Sequence, residues 1–197
     1  GLRELTLSNS LENIGTYAFA NCTSLDKIRL PANVTTVDYY AFYGCKNLHE
    51  ISLNENLNKI GASAFKACHA LKEITIPMSV TDFAGSALDS CTNLKSITIG
   101  GPIPLRCSNF AKHSPVESIT LRGNLANVQL SDLKTLTTVR LTDYCDAIDK
   151  YAFYSCFGLK EIYFGNIKSI GYNAFGYCTS LTSADLSKVE EIGNQAF

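Results

Sequence analysis

The chain has no basic run, and its 17 Lys and Arg stand against 18 Asp and Glu for a net charge of −1. This argues against nucleic acid or an anionic membrane as the main partner, since both demand a clustered positive patch. No stretch approaches the roughly 18 consecutive apolar residues of a spanning helix, so no transmembrane span is expected. The signatures G-x-x-x-x-G-K-[ST], G-x-G-x-x-G, H-E-x-x-H and G-x-S-x-G are all missing. With them go the phosphate cradle, the dinucleotide site, the zinc protease helix and the hydrolase elbow. The three histidines, His49, His69 and His113, share no metal-ligand spacing. His49 and His69 read as surface polar residues in turns. No two cysteines lie closer than 11 residues, whereas structural zinc uses close C-x-x-C-type pairs. No cofactor and no metal are expected.

What is present is a period. Phe19, Phe42 and Phe65 fall 23 residues apart, followed in step by Leu88; Cys22, Cys45, Cys68 and Cys91 keep the same beat. It returns as Phe153, Phe175 and Phe197 with Cys156 and Cys178. A fixed repeat of this length marks a solenoid. Each unit runs L-x-x-I-x-L, a turn, then I-G-x-x-A-F-x-x-C. Ile28 and Leu30, two apart, share one face of a short strand. Pro31 and Pro77 end pairing just after it. The I-G-x-x-A-F-x-x-C stretch predicts a tight turn plus a single helical or 3₁₀ turn. One unit cannot bury its Leu, Ile, Phe and Cys alone, and stacking makes the core continuous. About nine parallel strands, roughly 4.7–4.9 Å apart, would span some 40 Å.

The expected organisation is a single α/β solenoid domain over residues 1–197, of about nine units of 20–23 residues. The pattern weakens over 100–135. There Gly100, Gly101, Pro102 and Pro104 make a turn-rich knot, Asn109-Phe110 replaces Ala-Phe, and His113 takes the Cys slot. The strand signal survives as Ile119 with Leu121 and Val139 with Leu141, so the coil is expected to continue with altered loops; a boundary between two sub-domains is the rival. The chain opens without Met or a signal-peptide pattern and ends mid-unit without a polar cap, so a piece of a longer array is expected.

Six of the eight cysteines hold one repeat position, which predicts a reduced, buried sulfur ladder. Cys107 and Cys145 lie off it and are the candidates for a reactive or paired thiol. Cys107 with His113 could be drawn as nucleophile and base, the remote alternative of a thiol-dependent enzyme. Sequons occur at Asn21 and Asn33.

Binding surface is the remaining resource. The outward strand positions read Thr6, Arg29, Ser52, Thr75, Thr98, Thr120, Arg140, Tyr163 and Asp185. Arg122, Arg140 and Tyr163 are expected on successive rungs beside Asp185, and Tyr and Arg are the types enriched at interface hot spots. With Arg29 they form the candidate ligand face. A second candidate is the turn side, where Tyr17, Tyr39, Tyr40 and Tyr43 crowd one end and Tyr151, Tyr154, Tyr172 and Tyr177 the other. These rings can also simply cover the Phe core with their hydroxyls wet.

Residues 34–53, V-T-T-V-D-Y-Y-A-F-Y-G-C-K-N-L-H-E-I-S-L, and 60–77, I-G-A-S-A-F-K-A-C-H-A-L-K-E-I-T-I-P, closely resemble the BspA-like leucine-rich repeat. Ordinary leucine-rich repeats carry Asn where this one carries Cys. The resemblance is strong over 1–99 and 145–197 and faint over 100–144. It implies a right-handed curved solenoid, with a parallel sheet on the concave side and turns or short 3₁₀ segments on the convex side. It also implies a secreted or cell-surface protein engaged in adhesion to a protein or glycan ligand, host matrix among them. The family has no catalytic motif to transfer. A passive spacer carrying another domain is the structural alternative.

Overall fold

The computed structural model describes residues 1–101, 103, 110–111, 113–123 and 128–197. Cys107, Pro102, Pro104 and Asn109 lie outside them. In chain order the strands are β1 (Asn13–Ile14), β2 (Lys27–Arg29), β3 (Thr36–Val37), β4 (Glu50–Ser52), β5 (Lys59–Ile60), β6 (Glu73–Ile76) and β7 (Asp82–Phe83). A 3₁₀ turn, η1 (Gly85–Leu88), follows. Then come β8 (Ser96–Ile99), β9 (Ser118–Leu121), β10 (Thr138–Leu141), β11 (Ala147–Ile148), β12 (Glu161–Tyr163), β13 (Ser169–Ile170) and β14 (Glu191–Ile192). Every pairing is parallel, as a coil that returns to the same side each turn requires.

The seven longer strands carry the L-x-x-I-x-L segments, one per coil. Ile74, Ile97, Ile119, Val139 and Ile162 align across β6, β8, β9, β10 and β12, each on its copy. All five are buried, while their neighbours along the strand are exposed or half-buried. The ladder runs unbroken from β6 to β12 through the irregular region. Residues 4–6 and 183–185, expected as the first and last rungs, carry no strand. At the latter, the Asp185 carboxylate accepts from Ser187 N–H at 3.0 Å, an Asx turn that bends the chain out of the ladder.

The I-G segments differ from expectation. They form a second ladder of two-residue strands: Ile14, Val37, Ile60 and Phe83 in register on one half, Ile148, Ile170 and Ile192 on the other. The helical turn expected after them is absent from all the coils described except at η1. The cause is two residues per coil in the left-handed region. One precedes Ala-Phe: Tyr17, Tyr40, Ser63, Tyr151, Asn173 and Gln195, φ 52–60°. The other precedes Cys: Asn21, Gly44, Ala67, Ser90, Ser155 and Tyr177, φ 58–69°. A left-handed residue cannot continue a right-handed helix. The glycine of the I-G pair serves a different end. A Cβ on Gly61 would sit 2.8 Å from the Asp38 carbonyl carbon, and one on Gly171 2.6 Å from Lys150 N, so the backbone of the preceding coil needs that space.

Inside, the Phe rings stack coil on coil. Centroids of Phe19 and Phe42 lie 5.2 Å apart, Phe42 and Phe65 5.5 Å, Phe153 and Phe175 5.4 Å, and Phe175 and Phe197 5.2 Å, all within 15° of parallel. Each slab adds roughly 0.5–1.5 kcal/mol beyond simple burial. The sulfur ladder is present and reduced. From Cys45 onward the ladder thiols donate to the carbonyl of the aromatic or aliphatic core residue one coil back: Cys45 to Phe19 at 3.1 Å, Cys68 to Phe42 at 3.2 Å, Cys91 to Phe65 at 3.1 Å, Cys156 to Leu130 at 3.1 Å and Cys178 to Phe153 at 3.1 Å. His113 is not in this slot. Ser114 is, its hydroxyl donating to Leu88 O at 2.8 Å while Cys91 N–H donates to it at 2.9 Å. An extra residue after Phe110 shifts His113 into the left-handed position, φ 62°, and leaves its side chain largely exposed.

Candidate binding faces

The outward positions of the long ladder form one row by register. Thr75, Thr98, Thr120, Arg140 and Tyr163 lie on successive strands from β6 to β12. A second row runs Glu73, Ser96, Ser118, Thr138 and Glu161. Where the first row turns from Thr to larger residues, the Arg140 guanidinium lies over the Tyr163 ring at 4.0 Å from its centroid. Such an exposed cation–π contact contributes about 0.5–1 kcal/mol. The Tyr163 hydroxyl in turn donates to Glu161 Oε2 at 3.2 Å. The three side chains thus hold one another in place at the β12 edge of the five-stranded sheet.

The remaining candidate residues are dispersed relative to this trio. Arg122 is not on the Arg140 row, because Thr120 pairs with Arg140. It follows the end of β9, with its N–H bonded to Ile99 O and its carbonyl accepting from Thr142 Oγ1. The outward row read from strand spacing, with Thr120 beside Arg140, already leaves Arg122 off it. Asp185 and Tyr163 share a cleft of about 240 Å³, floored by Phe164, Ile167 and Val189 and bordered by Lys188. Two hydrogen bonds with Ser187 hold the Asp185 carboxyl below its usual range, with Lys188 assisting. Arg29, on β2, sits six coils from Tyr163 towards the opposite end. It lines a wider groove of about 1030 Å³ with Thr6, Pro31, Asn54 and Asn56.

Thiol chemistry is suppressed at every described cysteine whose titration departs from the ordinary. Burial pushes Cys45 and Cys91 up to about 12 and Cys178 to about 11. Cys145, expected as a reactive or paired thiol, is neither. It is free, fully buried and raised by burial, and it donates to Gly123 O at 2.9 Å. The thiolate is the nucleophilic form, so these sulfurs are inert. Among the described residues no group of three His, Cys, Asp or Glu side chains gathers as a metal site, and no helix is long and apolar enough to cross a membrane. Both sequon asparagines, Asn21 and Asn33, are exposed.

One cluster escaped the sequence reading. Asp89, 9% exposed, accepts from Lys66 Nζ at 3.0 Å and lies 3.2 Å from His113 Nδ1, tying three consecutive coils. Burial alone would raise the Asp89 carboxyl, but the hydrogen bonds from Lys66 and His113 outweigh it and lower it. The available signal was the pair of intervals, 23 and 24 residues, that separate the three.

On the turn side the tyrosines gather as expected at two ends. Tyr17 stacks flat on Tyr40 at 4.9 Å, and Tyr40 meets Tyr43 edge-on. At the other end Tyr151–Tyr154, Tyr151–Tyr172 and Tyr154–Tyr177 are all edge-to-face, at 5.3–5.5 Å. Tyr17, Tyr40, Tyr151 and Tyr177 occupy left-handed positions, which cost a residue with a Cβ roughly 1–2 kcal/mol each.

A search of curated proteins finds no sequence match. Among solved structures, a leucine-rich repeat protein of T. pallidum is 25% identical at a TM-score of 0.53, covering 94% of this chain and 79% of that one. A leucine-rich repeat protein from Bacteroides ovatus is 23% identical at 0.41, covering 97% and 74%. A leucine-rich cell surface protein from Faecalibacterium prausnitzii is 22% identical at 0.44, covering 95% and 60%. The profile of the BspA type leucine-rich repeat region, in six copies, matches residues 1–114 and 104–197. With stacked Phe rings, a sulfur ladder and parallel rungs in register, the chain belongs to the BspA-type leucine-rich repeat family.

Proposed function

We propose that this chain is a non-enzymatic binding module of a secreted or cell-surface protein, and that it engages a protein ligand through the outward face of the long ladder. Membership in a leucine-rich repeat family supports a protein-binding or surface role. The observation that carries the assignment to this face is the Arg140–Tyr163–Glu161 trio. It is a preordered, exposed group of hot-spot residue types at the edge of an otherwise small-hydroxyl sheet. Asp185 and Lys188 extend it across the neighbouring cleft, while Arg29 and Arg122 are peripheral contacts. Affinity on such a surface comes from many modest contacts rather than one deep site, and host matrix proteins are the ligand class the reading favours.

The test is capture of a panel of extracellular-matrix proteins by the immobilised chain, repeated with Arg140→Ala and Tyr163→Ala together. Tenfold or greater loss of capture with unchanged far-ultraviolet circular dichroism supports the face. Undiminished capture by the double variant refutes it.

A further inference from the structure

The tyrosines of the last coils are explained neither by the backbone nor by the core. Two of them, Tyr151 and Tyr177, hold left-handed positions that other coils fill mostly with small or locally bonding residues such as Asn21, Gly44, Ser63 and Ser90, and at the opposite end with Tyr17 and Tyr40. Tyr is a poor steric choice at φ near +60°. Nor does burial account for it at Tyr177, which is 62% exposed; Tyr151 is half-buried. Strain accepted at an exposed aromatic points to a surface role.

The arrangement narrows that role. Three edge-to-face contacts join Tyr151, Tyr154, Tyr172 and Tyr177 into a corner instead of a stack. At the other end Tyr17 and Tyr40 cover each other face to face, so less ring face is offered there. Amide groups border the corner. Gln195 Oε1 accepts from the Tyr172 hydroxyl at 3.0 Å and from Asn173 Nδ2 at 3.3 Å, two bonds that leave the Gln195 amide nitrogen unused. Charge sits at the margin, where the Asp132 carboxylate lies beside Tyr154. A ligand suited to this corner has a flat C–H face for the electron-rich ring faces, hydroxyls for the amides, and no negative charge to oppose Asp132.

We infer that the Tyr151–Tyr154–Tyr172–Tyr177 corner is a binding site for a neutral oligosaccharide, separate from the protein-binding ladder face. A pyranose lays its C–H face on an open tyrosine ring, and its hydroxyls take the amides of Gln195 and Asn173.

The chain contains no tryptophan and ten tyrosines, so its intrinsic fluorescence reports tyrosine alone. Titration with chitotriose and with cellotriose is expected to give a saturable change for at least one of them. The variant Tyr151→Asn with Tyr177→Asn replaces both strained residues by one that tolerates the left-handed region. It should melt at an equal or higher temperature yet bind the sugar at least tenfold more weakly, by calorimetry. Tyr17→Asn with Tyr40→Asn, and Arg140→Ala with Tyr163→Ala, should bind as the unmodified chain does. No saturable response to either sugar overturns the inference, even if the corner proves to capture a protein. So does undiminished binding by the Tyr151/Tyr177 variant. Loss of sugar binding in the Arg140/Tyr163 variant would also overturn it, by assigning the sugar to the ladder face.

Discussion

Replacing Gly61 by Ala adds one methyl group, and its consequence follows from the spacing of two coils. The new Cβ would lie 2.8 Å from both the Asp38 carbonyl carbon and the Tyr39 nitrogen. Both are backbone atoms of the preceding coil, held by the β3–β5 pairing and by the bond from Gly61 N–H to Val37 O at 2.8 Å. Neither can rotate away as a side-chain tip would, so relief requires the coils to part. Overpacking of this kind costs about 1–3 kcal/mol. For a chain of this size that is a fall in melting temperature of roughly 2–12 °C. Gly15 occupies the same slot two coils earlier, yet a Cβ there meets nothing within 4 Å. Neither glycine has the left-handed φ of Gly44 and Gly165. Gly15→Ala should therefore be neutral, or stabilising by about 0.4–1 kcal/mol through the unfolded chain. Gly171→Ala, with its Cβ 2.6 Å from Lys150 N, should behave as Gly61→Ala does. Thermal and urea unfolding followed by circular dichroism measure all three. Equal melting temperatures for Gly61→Ala and Gly15→Ala would refute the idea that glycine is there for coil-to-coil clearance.

Truncating Phe65 to Ala removes a fully buried ring stacked on Phe42 and should cost about 3–5 kcal/mol by urea denaturation. Cys68→Ser should be milder than Cys68→Ala, because a hydroxyl already makes the equivalent bond at Ser114; the difference expected is about 1 kcal/mol. The ladder thiols titrate higher folded than unfolded, so their stabilisation is present below pH 9 and is lost as pH rises toward about 12. Urea midpoints should fall over that window, and Cys45→Ala with Cys91→Ala should flatten the slope. Asp89 has the opposite sign: its folded value lies below 3.8, so its contribution is present above that value and is lost in acid. Asp89→Asn should reduce the loss of stability between pH 5 and pH 2, as read by the same midpoints.

The sequence alone determined the architecture, because a coil that recurs every 23 residues can bury Phe42, Cys45 and Ile51 only against its own copies. Period and residue type sufficed for the long ladder, the reduced sulfur column and the two tyrosine ends. Tertiary structure decided what depends on register between coils and on backbone handedness. The second ladder at Ile14, Val37 and Ile60 was illegible because two-residue strands have no period of their own; they exist through hydrogen bonds to the neighbouring coil. Ser114 rather than His113 fills the sulfur slot because an added residue is absorbed where Ala111 and His113 enter the left-handed region. Asp89 meets Lys66 and His113 because stacking brings residues some 23 positions apart to hydrogen-bonding distance. A repeat specifies that its units stack, while the exact partner of each exposed side chain is set by contacts between coils that no single unit encodes.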